Sequence, residues 1–185
     1  LGEAQSINVG DGLYAIAIRA LTSGPGPAER RIAALDVLTN AVQRMIMGQW
    51  NDILFESRDD VTVDEYLAMS AGKTGALLGA PLEMGALLAG ARVDVAHRFG
   101  LWGQQVGLAF QAQDDYLGIW GDSLKTGKSS TNDIARKKKT LPVVFGLLSA
   151  DHAPTIRRVY ALGAPGEDEI REVAHALTLA GADEI

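Results

Sequence analysis

The sequence predicts an all-α fold in one domain spanning residues 1–185. Three observations carry that prediction. Apolar residues recur at helical spacing, as at Ile32, Leu35, Leu38, Val42, Met45, Ile46 and Met47. Strand-type alternation is scarce, and no Asn-Gly pair offers a hairpin turn. Breaker residues gather between the periodic stretches, foremost in Ser23-Gly24-Pro25-Gly26-Pro27.

In chain order, Asp11 reads as the N-cap of a helix ending at about Leu21. A second helix runs from Arg30 to about Phe55 on the apolar period given above. A third begins at Val63-Asp64-Glu65 and runs past Lys73, loosened by Gly72, Gly75, Gly79 and Pro81. Glu83–Ala91 and Val93–Ile119 are further helices, the last being the longest. Thr140–Leu148, Ala153–Leu162 and Glu167–Ala180 complete the series. There is no internal repeat and no domain linker.

Composition narrows the function. With 47% apolar and 22% charged residues, the chain has the makings of a packed core and none of disorder. A net charge of −6 argues against a nucleic-acid partner, despite the local run Arg136-Lys137-Lys138-Lys139. No cysteine is present, so thiolate chemistry and disulfides are excluded, in keeping with a cytoplasmic protein. Leu1-Gly2-Glu3-Ala4-Gln5 lacks the basic start of a secretory signal. The longest uncharged runs, such as Phe99 to Gln113, are shorter than the ~20 apolar residues of a spanning helix, so no integral membrane segment is expected. The chain begins without Met and reads as an internal piece of a longer protein.

Phe110-Gln111-Ala112-Gln113-Asp114-Asp115 is the richest stretch. Gly103, Gly107, Gln111, Asp114, Asp115 and Gly118 fall at intervals of three and four, on one small, polar helix face. Such a face either packs closely against a neighbour or forms the wall of a cleft. The paired carboxylates favour the cleft, because buried charges without partners are costly. Behind them, the polar run Gly121–Thr140 supplies Lys125, Lys128 and the Arg136–Lys139 cluster. Carboxylates facing lysines suit Mg²⁺ and a diphosphate. Lys73-Thr74, between glycines in mid-helix, can be turned toward such a cleft by a kink. Each of these features alone also fits a solvated helix face.

Taken in order, these landmarks resemble the trans-polyprenyl (isoprenyl) diphosphate synthases over nearly the whole chain. They are Gly10-Asp11, Gly48-Gln49 with Asp52, Lys73-Thr74-Gly75, Phe110-Gln111, Asp114-Asp115, Gly127-Lys128, Asp133, Lys138 and Thr140-Leu141-Pro142. The resemblance implies a helical bundle around a central cleft, here without its N-terminal helices. It also implies Mg²⁺ as cofactor, held by Asp114 and Asp115. Lys73, Lys128 and Lys138 would bind the diphosphate. Lys73, Thr74 and Gln111 would act beside the reacting carbon. The implied reaction is ionisation of an allylic diphosphate, condensation with isopentenyl diphosphate and loss of a proton, in a homodimer built through Arg30–Phe55 and Val63–Ala80.

Two departures stand out. The second aspartate-rich motif reads DDxxG, with Gly118 where the family has a third aspartate. The first such motif lies upstream of Gly10-Asp11 in the family and is absent, so the 185 residues alone are not expected to turn over. Two other readings stay open. One is a non-catalytic partner subunit of a prenyl synthase, for which Gly118 speaks. The other is a class I terpene cyclase.

Overall fold

The computed structural model describes residues 2–122 and 131–185. Its helices are α1 (Glu3–Ser23), α2 (Ala28–Phe55), α3 (Val63–Ser70), α4 (Ala76–Leu88), α5 (Val93–Trp120), α6 (Asn132–Ala135), α7 (Leu141–Gly146), α8 (Ala153–Tyr160) and α9 (Glu167–Leu179). A five-residue π segment, Ala71–Gly75, joins α3 to α4 without a break. No strand occurs among the described residues, as the helical periodicity requires.

α2, α4 and α5 are held together by small residues. α2 buries Ala34, Ala41, Gly48 and Phe55 on a seven-residue spacing, and α5 buries Ala96, Gly100, Gly103 and Gly107 at intervals of four and three. Both spacings trace one helix face. With so little side chain in the seam, the backbones nearly touch. A Cβ at Gly48 would collide with the Lys73 backbone nitrogen, and one at Gly107 with Gly75. The small face of α5 therefore serves close packing at Gly103 and Gly107, and only from Gln111 onward does it border a cleft. This corrects the expectation that the whole face lines a ligand.

The large apolar side chains collect at the other end. Ile119 of α5 packs with Ile134, Val143, Ile156, Val159, Val173 and Leu177 from the C-terminal helices. A second cluster joins Phe55, Val61, Tyr66 and Met69 to Val144. Removing one such side chain costs ~2–5 kcal/mol. These clusters fix the C-terminal helices against the lower ends of α2, α3 and α5, where the polar residues converge.

Local chemistry explains most boundaries. Thr62 Oγ1 accepts from the Glu65 amide at 3.2 Å while Glu65 Oε2 accepts from the Thr62 amide at 2.9 Å, a complete capping box that starts α3. Pro142 stands in the first turn of α7, where its missing N–H leaves no bond unmade. Two expected boundaries are corrected. Asp11 is exposed in the middle of α1, which starts at Glu3. Once a turn exists, each added residue gains a hydrogen bond, so a good capping residue inside the run does not restart the helix. Glu83 opens no new helix either, because α4 runs through Pro81 to Leu88. α4 is packed against both α2 and α5, and that packing offsets the ~3 kcal/mol cost of an interior proline.

α1 packs on α2 yet buries none of its residues. Ile32, Met47, Trp50 and Ile53 of α2 are exposed, as are Phe99, Trp102 and Phe110 of α5. No helix among the described residues is long and apolar enough to cross a membrane.

Candidate active site

The site forms where the π segment, the lower half of α5 and the start of α7 meet. A cleft there is bordered by Asp52, Tyr66, Lys73, Gln111, Asp115 and Lys138. Of the residues expected from the sequence, Lys73, Gln111, Asp115 and Lys138 are thus brought together, and Thr74 joins them by a hydrogen bond to Gln111. Asp114 is half-buried on the same turn of α5. Lys128, with Gly127 and Lys125, lies outside the described residues.

The π segment explains how Lys73 and Thr74 enter the site. A π turn widens the helix by one residue and re-aims the side chains it carries, and such turns recur at functional sites. Here Lys73 Nζ forms an ion pair with Asp52 of α2, one helical turn beyond Gly48. Thr74 Oγ1 donates to Gln111 Oε1 at 2.7 Å. Gln111 Nε2 donates in turn to Asp115 Oδ1 at 2.9 Å.

Asp115 is the most engaged group of the site. It is 5% exposed, and its Oδ2 accepts from the Tyr66 hydroxyl at 2.5 Å and from the Leu141 backbone N–H at 2.8 Å. Burial lifts its pKa above the usual carboxylate value, against the pull of the three donors, and the nearby Asp133 charge adds to the rise. Tyr66 is pushed well above the normal phenol range, first by burial and then by the Asp115 charge. Both shifts describe one short bond in a dry place.

Lys138 pairs with Asp133 at 3.0 Å, and its carbonyl accepts from the Tyr160 hydroxyl at 3.2 Å. Its neighbour Lys139 is buried, with Nζ 4.9 Å from the centre of the Tyr160 ring and 3.8 Å from Asp59. Burial lowers the Lys139 pKa, against the attraction of Asp59. The segment 138–141 is therefore tied down at three successive points, which holds Lys138 at the cleft.

A Cβ at Gly118 would meet the Asp133 carboxylate, the end of a side chain that can turn aside. Sequence reasoning placed Asp133 and Asp52 in the ordered series but missed their pairing with Lys138 and Lys73. It missed Tyr66 altogether, and it counted Lys139 only as part of the basic cluster. The capping box Thr62-Val63-Asp64-Glu65 was a usable signal for where α3, and hence Tyr66, begins.

The implied Mg²⁺ can be tested against these donors. Mg²⁺ takes one or two carboxylates and completes its shell with phosphate oxygens and water. Among the described residues no group of three or more His, Asp or Glu side chains gathers. Asp115 at the lysine-bearing cleft, with Asp114 next to it on α5, fits the hard-cation, phosphate-assisted kind of site and does not fit a closed protein cage.

The comparisons agree with this architecture. A family model described as polyprenyl synthetase matches residues 1–177. The chain belongs to the polyprenyl synthetase family. A geranylgeranyl diphosphate synthase of Mycobacterium tuberculosis is 44% identical over 156 residues, covering 83% of this chain and 44% of that protein. A polyprenyl synthetase from Streptomyces coelicolor A3(2) superposes with a TM-score of 0.87 at 38% identity, over 99% of this chain and 56% of its own. A geranylgeranyl pyrophosphate synthase from Corynebacterium glutamicum, complexed with isoprenyl diphosphate and magnesium, gives a TM-score of 0.84 at 29% identity, over 97% of this chain and 52% of its own. The chain spans about half the length of the relatives it matches.

Proposed function

We propose that the protein is a prenyltransferase that condenses an allylic diphosphate with isopentenyl diphosphate to give a longer trans-prenyl diphosphate. One observation carries the reading: two lysines, each paired with its own carboxylate, converge on a cleft that Gln111, hydrogen-bonded to Thr74, also borders. Family membership and the names of the relatives support it.

In this reading the allylic C–O bond breaks, the diphosphate leaves, and the isopentenyl double bond forms the new C–C bond. Loss of a proton then restores a double bond. Lys73 and Lys138 hold the diphosphate and draw off its charge as it departs; Lys128 is assigned to the same task by its place in the motif series. Asp52 and Asp133 keep the two ammonium groups in place beforehand, so little reorganisation accompanies binding. Thr74 and Gln111 set oxygen dipoles beside the allylic cation. Mg²⁺, when bound, would neutralise phosphate charge, and Asp114 is assigned to hold it by its place in the motif series, with Asp115 next to it. The exposed apolar residues of α2 fit a homodimer contact.

Against the partner-subunit reading stands the retention of Lys73, Lys128, Lys138, Asp114 and Asp115. The test supplies the complete natural chain with Mg²⁺, an allylic diphosphate and isotope-labelled isopentenyl diphosphate. A longer labelled diphosphate is the expected product. A released hydrocarbon would mean a cyclase, and no product a non-catalytic role.

A further inference from the structure

A carboxylate can only accept hydrogen bonds, whereas a primary amide both donates and accepts. That difference gives the chain Asp115–Gln111–Thr74 a direction. Because Asp115 Oδ1 takes its bond from Gln111, the amide must turn its nitrogen to Asp115 and its oxygen to Thr74. The single Thr74 hydroxyl proton is then spent on Gln111, and what Thr74 has left is lone pairs. Asp115 cannot swing away from this duty. Its other oxygen is held from two further elements, by Tyr66 on α3 and by the Leu141 N–H at the start of α7. Adjacent residues on a helix diverge by about 100°, so Asp114 and Asp115 face different neighbours.

We propose that Asp115 is a positioning residue rather than a metal ligand: it fixes the polarity of Gln111 and Thr74 so that oxygen lone pairs, and no hydroxyl proton, face the reacting carbon. The proposal deepens the prenyl-transfer reading and rests on it for the identity of that carbon. A hydroxyl proton turned the other way would repel the allylic cation where the lone pairs attract it.

Asp115→Asn tests the idea with almost no change of shape. The new amide can still accept from Tyr66 and Leu141, but it offers N–H to Gln111, which must turn over and donate to Thr74. The Thr74 proton is thereby freed from Gln111. In the complete natural chain, kcat should fall on the order of 10²-fold, as for loss of one preorganised dipole. KM for the allylic diphosphate, and calorimetric affinity for Mn²⁺ with inorganic pyrophosphate, should stay within about threefold, since no uniform binding contact is removed. In a Thr74→Val background the same substitution should cost almost nothing more, because coupled residues are non-additive. An equal loss in both backgrounds, or loss of Mn²⁺–pyrophosphate binding, would overturn the proposal.

Neutron diffraction of the unsubstituted protein reads the polarity directly, even if Asp115→Asn does not fold. A deuteron bonded to Thr74 Oγ1 and aimed at Gln111 supports it, and one bonded to the Gln111 amide nitrogen and aimed at Thr74 refutes it. If the unsubstituted enzyme makes no prenyl diphosphate, the functional reading fails by itself, while the neutron map still decides the polarity.

Discussion

Tyr66→Phe isolates the buried bond on which the site is built. The substitution keeps the ring in the cluster with Phe55, Met69 and Val144 and deletes only the hydroxyl that donates to Asp115 at 2.5 Å. A hydrogen bond to a charged group is worth roughly 1.5–3 kcal/mol, and a neutral one about 1. Asp115 has a folded-state pKa above its unfolded value, so the native protein binds the extra proton. Its contribution to stability is thus fully present at low pH and declines as pH rises through the raised pKa. Loss of the Tyr66 donor favours the neutral acid further, raising that pKa again. The variant should therefore lose about 1.5–3 kcal/mol above the raised pKa of Asp115, where it is charged, and only about 1 kcal/mol below it, where Asp115 is protonated in both proteins. Urea unfolding of the two proteins on both sides of that pKa gives the difference directly. A difference that is constant with pH, or larger in acid, would refute the assignment of Asp115 as a charged acceptor.

Three other outcomes follow from contacts described above. Gly48→Ala drives a methyl group into the Lys73 backbone and should lower stability by roughly 1–3 kcal/mol, read as a fall in the melting temperature. Gly118→Asp, which restores the missing motif residue, should turn the Asp133 carboxylate aside and weaken its pairing with Lys138, costing at most about 1 kcal/mol in the same melting assay. Lys139→Met should leave stability at pH 7 within about 1 kcal/mol of the unsubstituted protein, since an apolar side chain can replace a buried ammonium group at little cost. Because burial depresses the Lys139 pKa, the unsubstituted protein alone gains stability as pH climbs toward the ordinary lysine range. Unfolding midpoints measured between about pH 7 and 10 should move apart accordingly.

The helical architecture was legible because it rests on local periodicity. α2, the start of α3, α5 and α8 appeared with ends close to those observed, since each is bounded by a loop motif or a cap visible in the chain. Asp11 misled because a capping residue signals a boundary only where the preceding chain is not already helical, and the start at Glu83 because α4 carries on through Pro81. The order of site residues was legible as well, through Lys73-Thr74, Phe110-Gln111 and Asp114-Asp115. Their partners were not. Tyr66 reaches Asp115 across 49 residues and Asp52 reaches Lys73 across 21, distances that no spacing rule spans. The glycines of α5 looked like a ligand wall because close packing and open space select the same small side chains. Only the neighbouring backbone tells the two apart.

The π turn at Ala71–Gly75 also acts as a phase shifter within one continuous helix. Upstream of it, Tyr66 and Met69 are aligned with the large side chains below the site. Downstream, Gly75 and Gly79 are aligned with the glycines of α5. Each residue turns a helix by about 100°, so a chain one residue shorter here would rotate one of these faces out of register with the other. Length at this point is thus as much a requirement as composition. A single-residue deletion between Ala71 and Gly75 would leave every site residue except the deleted one in the chain and still pull the site apart.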